Sequence, residues 1–131
     1  MEKKPIVNLL VWCDYADNYQ NRFNIIRTFS FWECETLPCD FTASVPLQII
    51  FDDLQPPQLL SIKMSDYEGN KVLDEEVLLT PKRTLTDKWV AQYILRFQNV
   101  QLSKVDYILE ISCKDSKEVI ASLPLPVCVA K

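Results

Sequence analysis

The chain of 131 residues carries 14 basic and 18 acidic side chains, a net charge of -4, with 48% hydrophobic and 24% charged positions. That balance belongs to a globular chain with one ordinary core; it excludes a disordered polyelectrolyte and offers no field that would gather phosphates, so nucleic acid is not an expected partner. One glycine, Gly69, stands in the whole sequence, which excludes the glycine-rich loops that cradle nucleotides.

Lys3-Lys4 followed by PIVNLLVWC loosely imitates a secretory signal. Asn8 interrupts its apolar run, no small-residue cleavage site follows, and Trp12 is too bulky for the residue before a lipoprotein cysteine. No apolar run approaches the roughly 18 residues that cross a membrane as a helix. Five cysteines, at positions 13, 34, 39, 113 and 128, form no repeated short spacing. An odd, scattered set suits free thiols in a reducing compartment, and the expected location is cytoplasmic, with no membrane insertion.

Residues 6–15 alternate as a strand, with Val7, Leu9, Val11 and Cys13 on one face and Ile6, Asn8, Leu10, Trp12 and Asp14 on the other. ADNYQN supplies a turn, and a second strand over 22–32 carries Phe23, Ile25, Phe29 and Phe31 on one side, so that Trp32 falls opposite. FTASVPLQIIF sets Phe41, Ala43, Val45, Leu47, Ile49 and Phe51 against a second face. Pro46 has no N–H to donate, which predicts an edge strand or a bulge there.

LLSIKMSD and KVLDEEVLL form a hairpin joined by YEGN, where Gly69 meets a turn's need for positive φ. TPKRTLTDK is the longest polar connection, and Lys82-Arg83, beside Pro81, reads as a solvated loop. WVAQYILRF places Trp89, Ala91, Tyr93, Leu95 and Phe97 on a core face, with Gln92 and Arg96 on the other. YILEISC alternates Tyr107, Leu109, Ile111 and Cys113 inward, and a last strand over 118–129 is held to an edge by Pro124 and Pro126. About eight strands with frequent turn signals predict an all-β chain, a two-layer antiparallel β-sandwich of immunoglobulin-like architecture built as one domain over 1–131, with a small β-barrel as the alternative.

The order LLVWCDY, RFNIIRTF, LPCDFTASVPLQIIF, DYEGN and YILEIS resembles a family of small, uncharacterised, mostly bacterial β-sandwich domains. The resemblance implies the fold and carries no activity with it. That family often has a glycine in each of the first two strand regions, where this chain has Gln20-Asn21 and Arg27.

Catalytic chemistry finds little to work with. The chain has no histidine, and a nucleophilic cysteine needs a base or a positive setting. Cys13 therefore reads as a buried core thiol and Asp14 as the first solvated residue. Cys34 and Cys39 offer two thiols of the four ligands that structural zinc takes, and they read as loop thiols that oxidation would join. Asp14, Asp17, Asp52, Asp53, Asp66, Glu68 and Asp115 gather in turns, as calcium-binding loops do, but without a fixed calcium pattern, and solvated strand ends explain them. Asp74, Glu75 and Glu76 are adjacent and cannot all serve one glycosidic cleft.

Trp89 belongs with the core. Trp12 and Trp32 fall on the opposite faces of their strands, where another strand or a loop is expected to cover them; left bare, they would suit a sugar or a protein partner. No catalytic residue, metal ligand or cofactor follows from the sequence. The expected function is a non-enzymatic protein-interaction module, with a calcium- or carbohydrate-binding sandwich as the alternative.

Overall fold

The computed structural model describes residues 6–19, 22–53 and 56–130. Eleven strands follow in chain order: β1 (Ile6–Leu10), β2 (Trp12–Tyr19), β3 (Arg22–Phe29), β4 (Trp32–Cys34), β5 (Cys39–Phe51), β6 (Gln58–Asp66), β7 (Lys71–Leu79), β8 (Lys82–Arg83), β9 (Trp89–Leu102), β10 (Asp106–Cys113) and β11 (Val119–Val129). Among the described residues no helix is long and apolar enough to cross a membrane.

The strands form two sheets packed face to face, as the alternation predicts. One runs β3-β2-β5-β9-β8, with β1 also paired to β5, and it curls into a half-barrel; the other runs β4-β11-β10-β6-β7. The fold is thus a sandwich whose first sheet borrows the curvature of the alternative barrel. Pairing is antiparallel except between β4 and β11, where Trp32, Glu33 and Cys34 run parallel to Val127, Cys128 and Val129.

The core lies between the sheets. β5 contributes Phe41, Ala43, Val45, Leu47, Ile49 and Phe51, facing Leu60, Ile62 and Met64 of β6 and Tyr107, Leu109 and Ile111 of β10. At one end of it Trp12, Phe29, Trp32, Phe41 and Phe97 form an aromatic cluster, with Trp32 and Phe41 edge-on at 4.8 Å and Trp12 within 5.5 Å of both Phe41 and Phe97. Edge-to-face rings at such distances gain from their quadrupoles beyond simple burial.

Several expectations from period alone are corrected here. The first strand is interrupted. Its pairing with β5 shifts between Val7 and Leu9, so the faces exchange there and Val7, Leu10 and Trp12 turn inward; Val11 belongs to no strand, although the register runs unbroken across it. Trp12 is 1% exposed, and its indole Nε1–H donates to the Pro124 carbonyl of β11 at 2.9 Å. A strand does cover it, as expected, but from the core side.

The strand also runs on past Asp14 to Tyr19, through most of the stretch read as a turn; Gln20 and Asn21 lie outside the described residues. The second strand stops at Phe29, which makes Trp32 part of the core cluster and leaves Phe31 exposed, the reverse of the simple alternation.

Pro46 marks neither an edge nor a bulge of its own strand. β5 is central, with β9 along one side, and Pro46 is buried opposite Ile94. On the other side, Leu10 pairs with Leu47 and Cys13 with Ser44, so the gap at Val11 falls across from Pro46. The missing donor and the missing strand residue coincide. Pro124 and Pro126 do follow the expectation, since β4 pairs only with Val127, Cys128 and Val129 and leaves the proline stretch of β11 open on that side.

β9 continues beyond Phe97 to Leu102. A bulge at Asn99, whose φ is 52°, moves the inward set from Phe97 to Val100 and Leu102. The β6-β7 hairpin matches its sequence signal, with Gly69 at φ 93°. Within it the Asp66 carboxylate accepts from the backbone N–H groups of Glu68 and Asn70 at 2.9 Å and from Asn70 Nδ2 at 3.0 Å. These bonds, led by that of the Asn70 side chain, hold the Asp66 carboxyl below its usual range.

Candidate cationic groove

The curl of the first sheet can be traced bond by bond. Arg96, on the outward face of β9, donates from Nη2 to the Ala16 carbonyl at 2.9 Å and from Nη1 to Ser44 Oγ at 3.4 Å, and its guanidinium lies 5.0 Å from the Tyr15 ring centre. Farther along, Asn18 Nδ2 donates to Gln92 Oε1 at 3.2 Å. Because β5 stands between β2 and β9, these contacts draw the β2-β3 hairpin back over the outer face of the sheet. Cys13, Ala16 and Ser44 are shielded beneath it.

On the other flank, the segment read from sequence as a solvated loop holds β8. Lys82 pairs with Val90 and Arg83 with Trp89, which brings both cations onto the edge of the curled sheet. The turn that follows is held by Thr84, whose Oγ1 donates to the Lys88 carbonyl at 2.8 Å while its N–H donates to the same oxygen at 3.0 Å.

Hairpin and β8 flank a concavity of about 590 Å³. Gln48, Ile50, Val90 and Gln92 form its floor; Asn18 and Arg22 stand on the hairpin side; Lys82, Arg83, Leu85 and Lys88 stand on the β8 side. The volume is that of an ordinary ligand site. Among the described residues four cations and no carboxylate line it, in a chain whose net charge is -4. Lys88 is committed to Asp52, which raises its pKa by hydrogen bond and charge. Among the described residues Arg22, Lys82 and Arg83 enter no ion pair.

Of the residues weighed from sequence, Lys82 and Arg83 line this groove, and the cysteines, acidic residues and tryptophans do not. Cys13 is fully buried, as expected, with its thiol donating to the Ser44 carbonyl at 3.3 Å. Burial, then the Asp14 charge, pushes its pKa up, which keeps it a thiol. Asp14 is exposed and pairs with Arg27 across the hairpin at 2.8 Å. Cys34 and Cys39 are free and adjoin one another; burial and then the hydrogen bond shared with Cys34 push the Cys39 thiol up to about 11.

The acidic turns do not converge. Asp14 is taken by Arg27, Asp52 by Lys88, and Asp66 by its own turn; among the described residues no three acids or thiols stand close enough to share a metal ion. Glu76 pairs with Lys114 and Asp74 with Lys71.

Sequence reasoning passed over the groove because its parts come from three distant stretches, none of them a motif. The one local signal was Lys82-Arg83, the lone adjacent basic pair away from the first residues of a chain with an acidic balance.

No curated protein matches the chain. A family model covers residues 8–128, from the bulge in β1 to the end of β11. The chain belongs to that family, a domain family of unknown function designated DUF6941.

Proposed function

We propose that the protein is a non-enzymatic interaction module, working in a bacterial cytoplasm with its thiols reduced and without a cofactor, and that it receives a protein partner in the concave outer face of the curled sheet. The observation that carries this reading is the groove's own lining. Amides, aliphatic side chains, threonine hydroxyls and cations can bind, yet among the described residues the lining holds no carboxylate, thiol or imidazole to take up a proton. The bonds of Arg96 and Asn18 support a cleft formed before its partner arrives.

The alternative, calcium or carbohydrate, gains little from the same features. Asp14, Asp52 and Asp66 are spent on local partners, and Trp12 and Trp32 face the core cluster.

The test uses the whole chain beside a variant carrying Arg22→Gln, Lys82→Gln and Arg83→Gln. A protein recovered from the source cell by the parent chain is purified and its affinity for both forms measured; binding that the variant loses supports the reading. A partner that binds both forms equally would place the interaction elsewhere. A rise in melting temperature specific to about millimolar calcium, or to an oligosaccharide, would transfer the site to the alternative.

A further inference from the structure

Resting on that reading, we propose that the groove takes an extended, acidic polypeptide segment, one whose carboxylates meet Arg22 on one wall and Lys82 and Arg83 on the other.

Charge comes first. Three cations without an ion pair border one concavity, although acids outnumber bases by four over the chain. Elsewhere among the described residues Arg27, Lys71, Lys104 and Lys114 stand beside carboxylates while Lys63 and Lys117 do not, and these last two lie singly, so it is the gathering of three such cations on one concavity that distinguishes the groove. A carboxylate supplied by a partner would complete the set. Arg22 and Arg83 can grip it with two parallel N–H donors, and the long stems of all three side chains can cover apolar surface while their heads stay wet.

The floor then narrows the class. Ile50 and Val90 give aliphatic contact, and Asn18 and Gln48, each with one amide group bonded to a neighbour, bring a remaining amide oxygen and amide nitrogen to the same surface. Side-chain amides match the alternating N–H and C=O groups of a peptide backbone. An extended segment also turns successive side chains to opposite faces, so apolar residues can settle on Ile50 and Val90 while acidic ones rise to the cations.

Among the described residues the lining contains no Phe, Tyr or Trp. Single-stranded nucleic acids are held largely by bases stacked on aromatic rings, so a strand of DNA or RNA would find its charges met and its bases without a platform. The described lining holds no glycine to shape a phosphate-binding turn, the chain's single glycine lying at the β6-β7 turn.

A labelled peptide of alternating glutamate and valine is titrated into the whole chain by fluorescence anisotropy, beside the same peptide with glutamine for glutamate and beside labelled oligothymidine. The glutamate peptide is expected to bind. Its affinity should fall about tenfold in a Lys82→Gln/Arg83→Gln variant and at about 0.5 M salt, and should be unchanged in Lys63→Gln, a cation of the other sheet. Equal binding of the glutamine peptide, or loss of affinity on Lys63→Gln, would overturn the inference.

Absence of binding by the glutamate peptide would overturn it too. If a purified protein partner still loses affinity with the groove variant, that result leaves the interaction reading standing and shows that the partner presents a folded surface. Tighter binding of oligothymidine through Lys82 and Arg83 would overturn both.

Discussion

The two faces of β5 and β9 are made by the same residues' neighbours and behave as different materials. Inward, Phe41, Val45, Leu47, Leu95 and Phe97 are all but inaccessible and interlock with the second sheet. Outward, one residue along, stand Thr42, Gln48, Ile50, Gln92 and Arg96, partly open and joined by polar bonds. The fold's free energy resides in the first face, where apolar area leaves water. The second is left to be shaped by charge and hydrogen bonding, which is why a groove can form there without weakening the core.

That division can be broken at four points, of decreasing force. Phe41→Ala empties the centre of the aromatic cluster, where Phe41 touches Trp12, Phe29, Trp32 and Phe97; urea denaturation should show a loss of about 3–5 kcal/mol. A smaller loss would mean that the cluster repacks.

Trp12→Phe keeps much of the packing but removes the donor to the Pro124 carbonyl. About 0.5–1.5 kcal/mol should go, the ordinary net worth of one hydrogen bond, here to a partly buried carbonyl. Tryptophan fluorescence would show the same substitution removing the most shielded emitter.

Asp66 belongs to neither face but closes the β6-β7 turn. Its carboxyl titrates below the ordinary 3.8 in the folded chain, so its stabilising effect is complete at neutral pH and disappears as the pH falls below about 4 through the depressed value. Melting curves across that range should therefore show a shallower acid limb for Asp66→Asn than for the parent chain. An identical limb would assign acid sensitivity to other carboxylates.

The smallest effect sharpens the contrast most. Lys82→Gln with Arg83→Gln should leave stability within about 0.5 kcal/mol, because both side chains are exposed and unpaired. A large loss would make the groove wall a structural element.

Much of the inward face could be read from sequence, because strict alternation over residues 41–51, 89–97 and 107–113 survives intact in β5, β9 and β10. What escaped was every place where the period slips. The shift between Val7 and Leu9 and the bulge at Asn99 each add a residue that period-2 counting cannot see, and the first is what sends Trp12 inward. The groove escaped for another reason. Its curvature depends on Arg96 reaching Ala16 and Asn18 reaching Gln92, bonds spanning 80 and 74 residues, and no local pattern announces such a meeting.

The parallel pairing of β4 with β11 joins Trp32, Glu33 and Cys34 to the last strand of the chain, and Trp12 leans on the same strand through Pro124. On a ribosome, where residues emerge in order, both tryptophans appear long before the strand that receives them. A nascent chain halted before Val119 has no neighbour for β4 and no carbonyl for the Trp12 indole. The sandwich is therefore completed late and nearly at once, and the aromatic end of its core must be kept from other surfaces throughout synthesis.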